Sequence, residues 1–166
     1  MKTKELAKKR IMFIQKEDYN FLTYNLLILL YVLDCSNESK RFRDFRKIAY
    51  LIEFINSGAN IEKYSKFELA NIYSKSQLKK QLLSHLLLVL KNHNFIDISI
   101  NKLHNSFDVW LKKDNIPADF FNLELFKSEL NNIEELKQRV NSLKTITAKT
   151  LVNDIFSSHN IITWEI

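Results

Sequence analysis

LLSHLLLVLKNHNFIDISINKLHNSFDVWLK, residues 82–112, changes its period part-way along, and that change decides the fold. Up to Leu90 the leucines follow three- and four-residue steps, the spacing of a helical face. From Phe95 the period is two: Ile96, Ile98 and Ile100 alternate with Asp97, Ser99 and Asn101, and Phe107, Val109 and Leu111 alternate with Asp108 and Lys112. Period two is the signature of half-buried strands, and the polar KLHNS between the runs has the length of a hairpin connection. The stretch therefore predicts a helix from about Ser76 to His93 feeding directly into a hairpin within residues 95–112. A shorter helical segment, YSKFELANIYS, comes before it at residues 64–74. Short helix, longer helix, hairpin is the order of a winged helix-turn-helix, in which the last helix packs beside its wing.

Upstream, FLTYNLLILLYVL at residues 21–33 is apolar nearly all round, the pattern of a helix enclosed by others. Asp18 or Asn20 is placed to cap it, and it runs through Asp34. After the polar link Ser36 to Ser39, the residues Phe42, Phe45, Ile48, Ala49, Ile52 and Ile55 recur at helical spacing and predict a further helix. Its first two turns carry Lys40, Arg41, Arg43, Arg46 and Lys47; Ser57, Gly58 and Asn60 end it, with Gly58 suited to the left-handed position after a helix. Downstream of Pro117, the series Leu123, Phe126, Leu130, Ile133, Leu136, Val140 and Leu143 predicts one long amphipathic helix. A short helix from about Thr147 to Phe156 leads to the apolar tail IITWEI. The chain thus reads as mainly α with a small β-hairpin: a basic arm or helix over residues 1–20, a winged-helix core over 21–116 with its wing at 95–112, and flanking helices and tail over 117–166.

Composition narrows the chemistry. One glycine and one proline in 166 residues leave nothing from which to build a P-loop or a dinucleotide-binding turn. The single cysteine, Cys35, cannot form an intramolecular disulfide and suits a reducing compartment, with cytoplasm the expected location. The basic N-terminus lacks the apolar core and cleavage site of a signal peptide. The longest apolar run, Leu26 to Leu33, is far below the roughly 20 residues that cross a bilayer, so no membrane association is expected. His85, His93, His104 and His159 are dispersed; the first two are two helical turns apart, too far for a chelating pair. No short-range signature of a nucleophile and its base surrounds Cys35 or any serine. Glu134 with Glu135, and Asp97 with Asp108, read as solvated carboxylates rather than as a dyad. A non-catalytic protein without metal or cofactor is the expectation.

Contact surfaces are better represented. Residues 1–83 hold 16 Lys/Arg against 9 Asp/Glu, whereas residues 84–166 hold 9 against 10, so the basic surface belongs to the N-terminal half. The cluster Lys40, Arg41, Arg43, Arg46 and Lys47, joined by Lys8, Lys9 and Arg10, is a candidate for nucleic acid or an acidic partner, because five cations at a helix start oppose its macrodipole. On the helix before the wing, Leu78, Leu82, Leu83, Leu86, Leu87, Val89 and Leu90 form the expected core half. The opposite side carries Gln77, Lys80, Gln81, Ser84, His85, Leu88 and Lys91, a face that suits base edges, a partner protein or water alike. Leu88 in its middle is a candidate protein contact. The wing adds Lys102, His104, Lys112 and Lys113 as candidate phosphate contacts. Ile161, Ile162 and Trp164 make an apolar terminus that either docks on its own domain or inserts into another subunit.

Three stretches, RDFRKIAYLIEFINS at residues 43–57, LLSHLLLVLKNHNFIDISI at 82–100 and TAKTLVNDIFSSHNIITWEI at 147–166, give the chain a family resemblance. It resembles the middle components of the ABC-three-component bacterial defence systems, including Lamassu, over most of its length from about residue 24. The resemblance implies a small non-catalytic winged-helix subunit that bridges an SMC-like ATPase and a nuclease-type effector and restrains the effector until foreign DNA is sensed. DNA contact would then be made directly or through the complex. The residues taken alone leave a second reading open, a free-standing winged-helix regulator of transcription or plasmid maintenance.

Overall fold

The computed structural model describes residues 19–121 and 124–164. The predicted arm, with Lys8, Lys9 and Arg10, lies outside the described residues, as does Leu123.

Helix α1 covers residues 19–32, and Leu22, Leu26, Leu27, Ile28, Leu29 and Leu30 are all buried, as an all-round apolar sequence requires. Four further helices follow in chain order: α2 (Lys47–Ser57), α3 (Lys66–Asn92), α4 (Lys127–Arg139) and α5 (Ala148–Ile155). Between α3 and α4 lie strands β1 (Ile96–Asn101) and β2 (Ser106–Leu111), antiparallel, with Ile96 opposite Leu111, Ile98 opposite Val109 and Ile100 opposite Phe107. The fold is therefore mainly α with a small hairpin. Helix α2 is buried nearly all round and packs on α3, α4 and α5. Tyr50 of α2, Tyr73 of α3 and Phe156 after α5 meet there, Tyr50 stacked on Tyr73 and Phe156 edge-on to Tyr73, with ring centroids 5.2–5.9 Å apart.

The structure corrects the reading at four places. Residues 41–46 do not begin a helix. Phe42 runs beside β2, donating its N–H to the Val109 carbonyl at 2.8 Å and accepting the Val109 N–H at 3.0 Å, and Phe45 N–H bonds the Phe107 carbonyl. The outer edge of β2 needs these partners, and Asp44, at φ 56°, turns the chain toward α2. Phe42 and Phe45 therefore share a side without being helical.

Second, the segments at residues 64–74 and from Ser76 are one helix of 27 residues. Ser65 accepts the Glu68 N–H while the Glu68 carboxylate accepts the Ser65 N–H, a complete capping box. Ser76 does not interrupt the helix because its buried hydroxyl bonds the Ile72 carbonyl at 2.7 Å. Third, the long C-terminal helix is only α4, 13 residues; Val140 is extended and Ser142 sits at φ 56°. Val140 and Leu143 stay buried, so the apolar period runs on through a turn that carries it into the core. Fourth, Leu78, assigned to the core, is 80% exposed.

Gly58 ends α2 at φ 134° and ψ 138°, beyond the left-handed helical region expected for it and in territory that a side chain makes strained. Its carbonyl accepts the Tyr64 hydroxyl at 2.7 Å. No helix among the described residues is long and apolar enough to cross a membrane. Gly58→Ala is expected to lower the unfolding free energy by about 1–3 kcal/mol in urea titration, and an unchanged midpoint would count against the strain.

Candidate interaction surfaces

The basic cluster is the strongest candidate in the sequence, and of its five described cations the structure turns Arg41, Arg46 and Lys47 toward internal partners. Arg41 Nε donates to Asp108 Oδ2 at 2.9 Å, and another of its nitrogens donates to the Glu38 carbonyl. Arg46 grips both oxygens of Asp44, at 2.7 and 2.9 Å. Lys40 pairs with Asp34 at 2.7 Å on the surface. Lys47, the first residue of α2, is fully buried; its Nζ donates to the Leu143 carbonyl at 2.5 Å and lies 4.2 Å from the centre of the Phe42 ring. Arg43 is exposed. Arg46 and Lys47 stand at the N-cap and first position of α2, each held by an oxygen partner, whereas Lys40, Arg41 and Arg43 precede the helix start.

Two buried carboxylates organise the cluster. Asp44 also accepts the Ala148 N–H at the start of α5, at 2.9 Å. Asp108, read from sequence as solvated, is 3% exposed and accepts the Asp44 N–H at 2.9 Å and the Asn101 side chain at 3.0 Å as well as Arg41. The contacts of Asp108 with Arg41 and the Asp44 N–H, and of Asp44 with the Ala148 N–H, close loops between distant segments: α2's leader, the hairpin and α5. Burial opposes ionisation of Asp44, but the Arg46 fork and the Ala148 amide outweigh it and hold its carboxyl below the usual range. Burial pulls the Lys47 ammonium down to about 7, against the attraction of Asp44.

On α3 the face opposite the core is partly engaged as well. Gln77 donates to the Tyr50 hydroxyl at 3.2 Å, the Lys80 ammonium lies 5.1 Å from the Tyr50 ring centre, and Lys91 is 3.5 Å from Asp97. Gln81, Ser84, His85 and Leu88 are exposed there. On the hairpin, Lys112 is 3.6 Å from the same Asp97, whose carboxylate also caps the Ile98 N–H at 2.9 Å. That cap blunts the free edge of β1. Lys113 lies 5.0 Å from the Tyr31 ring centre, and Lys102 is exposed.

The tail folds back on its own domain. Ile161 is buried, Trp164 meets the Tyr73 ring edge-on at 4.8 Å, and the Tyr73 hydroxyl accepts the Trp164 N–H at 2.9 Å and donates to its carbonyl. Ile162 points outward. Sequence reasoning missed the hairpin tip: Ile100 and Leu103 are 72% and 85% exposed, and Phe107, opposite Ile100, is partly exposed beside them. The one available signal was a leucine in the middle of a polar turn. Among the described residues no group of three or more His, Cys, Asp and Glu side chains could hold a metal ion.

No protein-family model, curated protein or solved structure matches this chain.

The depressed Lys47 pKa has a measurable consequence. Above about pH 7 the folded chain has released a proton that the unfolded chain holds until about 10.5, so unfolding free energy rises with pH in that window. Cys35, pushed up by burial from 9.0 to about 11, acts in the opposite sense above pH 9, which leaves pH 7–9 as the clean interval. Chemical denaturation is expected to show stability rising by up to about 1 kcal/mol per pH unit there, and Lys47→Met to remove the rise. Parallel profiles for the two proteins would contradict the assignment.

Proposed function

We propose that this chain is the non-catalytic winged-helix adaptor subunit of a cytoplasmic bacterial defence complex, bridging an SMC-like ATPase and a nuclease-type effector and restraining the effector until foreign DNA is sensed. The order α1, Phe42 strand segment, α2, α3, β1, β2 agrees with a winged helix-turn-helix core, with Phe42 on the outer edge of β2 as the third strand. The sequence resemblance supplies the setting and the partners.

The observation that carries the reading is the hairpin tip. A wing that reads DNA meets phosphates with cations, and phosphate contacts supply most of the affinity. Here the tip presents Ile100, Leu103 and Phe107 around one exposed cation, Lys102, while Lys91 and Lys112 at the base of the hairpin share Asp97. Arg41, Arg46 and Lys47 are held within the fold. An exposed apolar tip favours a protein partner with an apolar pocket over a free-standing regulator working through a charged wing.

The test is co-expression with the products of the adjacent genes. Wild-type chain is expected to co-purify with the ATPase and effector, and the double variant Ile100→Asp with Leu103→Asp to reduce capture at least about tenfold. Because both side chains are exposed, its stability should stay within about 0.5 kcal/mol of wild type. Undiminished capture by the variant, or a wild-type chain that purifies alone and binds a specific duplex, would overturn the proposal.

A further inference from the structure

Aromatic side chains from three segments meet beside the start of α1. Tyr24 of α1, Phe120 in the turn after Pro117 and Phe126 at the N-cap of α4 have ring centroids 5.4, 5.7 and 6.2 Å apart. Together with Phe21 they line a pocket of about 540 Å³. Their planes are inclined to one another by 36–45°, so no two stack face to face and use up each other's surface. Tyr24 is 40% exposed, and Phe120 and Phe126 are half-buried. Phe120 also meets Phe121 edge-on at 5.1 Å, and Phe121 stacks on Tyr31 of α1 at 4.1 Å, which ties the turn to α1 and holds the ring cluster in place.

Two carboxylates, Asp119 and Glu129, belong to the same lining, which contains no lysine or arginine. Neither carboxylate has an ion-pair or side-chain hydrogen-bond partner among the described residues. Rings and carboxylates favour the same sign of ligand: the negative ring faces attract a cation, and the carboxylates balance its charge. One cation about 4 Å from the plane through the three centroids is about 5 Å from each of them, inside the roughly 6 Å over which the attraction acts.

The lining also narrows the kind of cation. A primary ammonium is compact and strongly hydrated, and the three rings offer no acceptor for its N–H groups. An ammonium carrying methyl groups has no N–H to satisfy and sets apolar surface against the rings while keeping its charge. At about 540 Å³ the pocket takes a whole small molecule rather than the tip of one side chain. We propose that this pocket binds a small quaternary ammonium compound, its methyl groups against Tyr24, Phe120 and Phe126 and its charge balanced by Glu129 and Asp119. The site shares no residue with the hairpin tip and does not rest on the adaptor reading.

The probe is choline, read from amide shifts of the isotope-labelled full-length protein. One control is its uncharged carbon isostere, in which a tert-butyl group replaces the trimethylammonium; the other is ethanolamine, which has the charge without the methyl groups. Choline is expected to bind at least about tenfold more tightly than either control. Tyr24→Leu, which keeps an apolar side chain but removes a ring, should cost at least about threefold, and Glu129→Gln on the surface of α4 about threefold. Ile100→Asp with Leu103→Asp should bind choline like wild type. No saturable shift up to about 50 mM choline would overturn the proposal, as would equal binding of either control or affinity indifferent to both Tyr24→Leu and Glu129→Gln. A trimethyllysine peptide binding at least about tenfold more tightly than choline would overturn it by assigning the rings to a modified protein tail. Tyr24→Leu shifting the amide resonances of residues 2–10 in the ligand-free protein would do so by assigning the pocket to the chain's own lysines.

Discussion

The pairing of Asp44 and Asp108 with Arg46 and Arg41 is the constraint around which the rest of the molecule is arranged. Both carboxylates are buried, and a buried charge is tolerated only with its partners in place. Asp108 sits on β2 and receives the backbone of Asp44; Asp44 receives the backbone of α5; Lys47 beside them reaches the turn that follows α4. Hairpin, α2 and C-terminal region are thereby fixed to one another through groups separated by 64 to 104 residues. Hydrophobic burial drives the collapse, but these directional contacts specify which way the hairpin lies against α2 and where α5 begins.

The same pairing bears on function. A run of five cations within eight residues invites a nucleic-acid interpretation, and its composition alone would sustain it. Once Arg41, Arg46 and Lys47 are assigned to internal partners, the outward features that stand out are apolar: Ile100 and Leu103 at the hairpin tip, and Phe21 and Leu78 along α1 and α3. The proposed division of labour follows from that distribution. The proposal gives chemistry and any strong DNA contact to other subunits and recognition surfaces to this chain.

Legibility in the sequence tracked the range of the interactions involved. The hairpin could be read to within a residue or so because period-two alternation is local and strong, and α1 because an all-round apolar stretch has only one place to go. The start of α5 near Thr147 was likewise visible in the sequence, and Thr147 caps the helix by accepting the Thr150 N–H. Failures came where a contact that the pattern does not show overrode it, at long range for Phe42 and within the helix for Ser76. Phe42 and Phe45 have helical spacing, yet β2 recruits them as an edge; Ser74 and Ser76 look like a break, yet Ser76 back-bonds within the helix; Val140 and Leu143 keep the period of α4 after the helix has stopped. Asp108 resembled any strand-face polar residue, since its partner Arg41 is 67 positions away.

The central claim, that Arg41 and Arg46 serve the fold, is tested most directly by a double-mutant cycle on Arg41→Gln and Asp108→Asn followed by urea denaturation. The account predicts a coupling energy of about 1–3 kcal/mol, the two single losses overlapping because each removes the same buried contact. Strictly additive losses would contradict it and would leave Arg41 available to an outside partner.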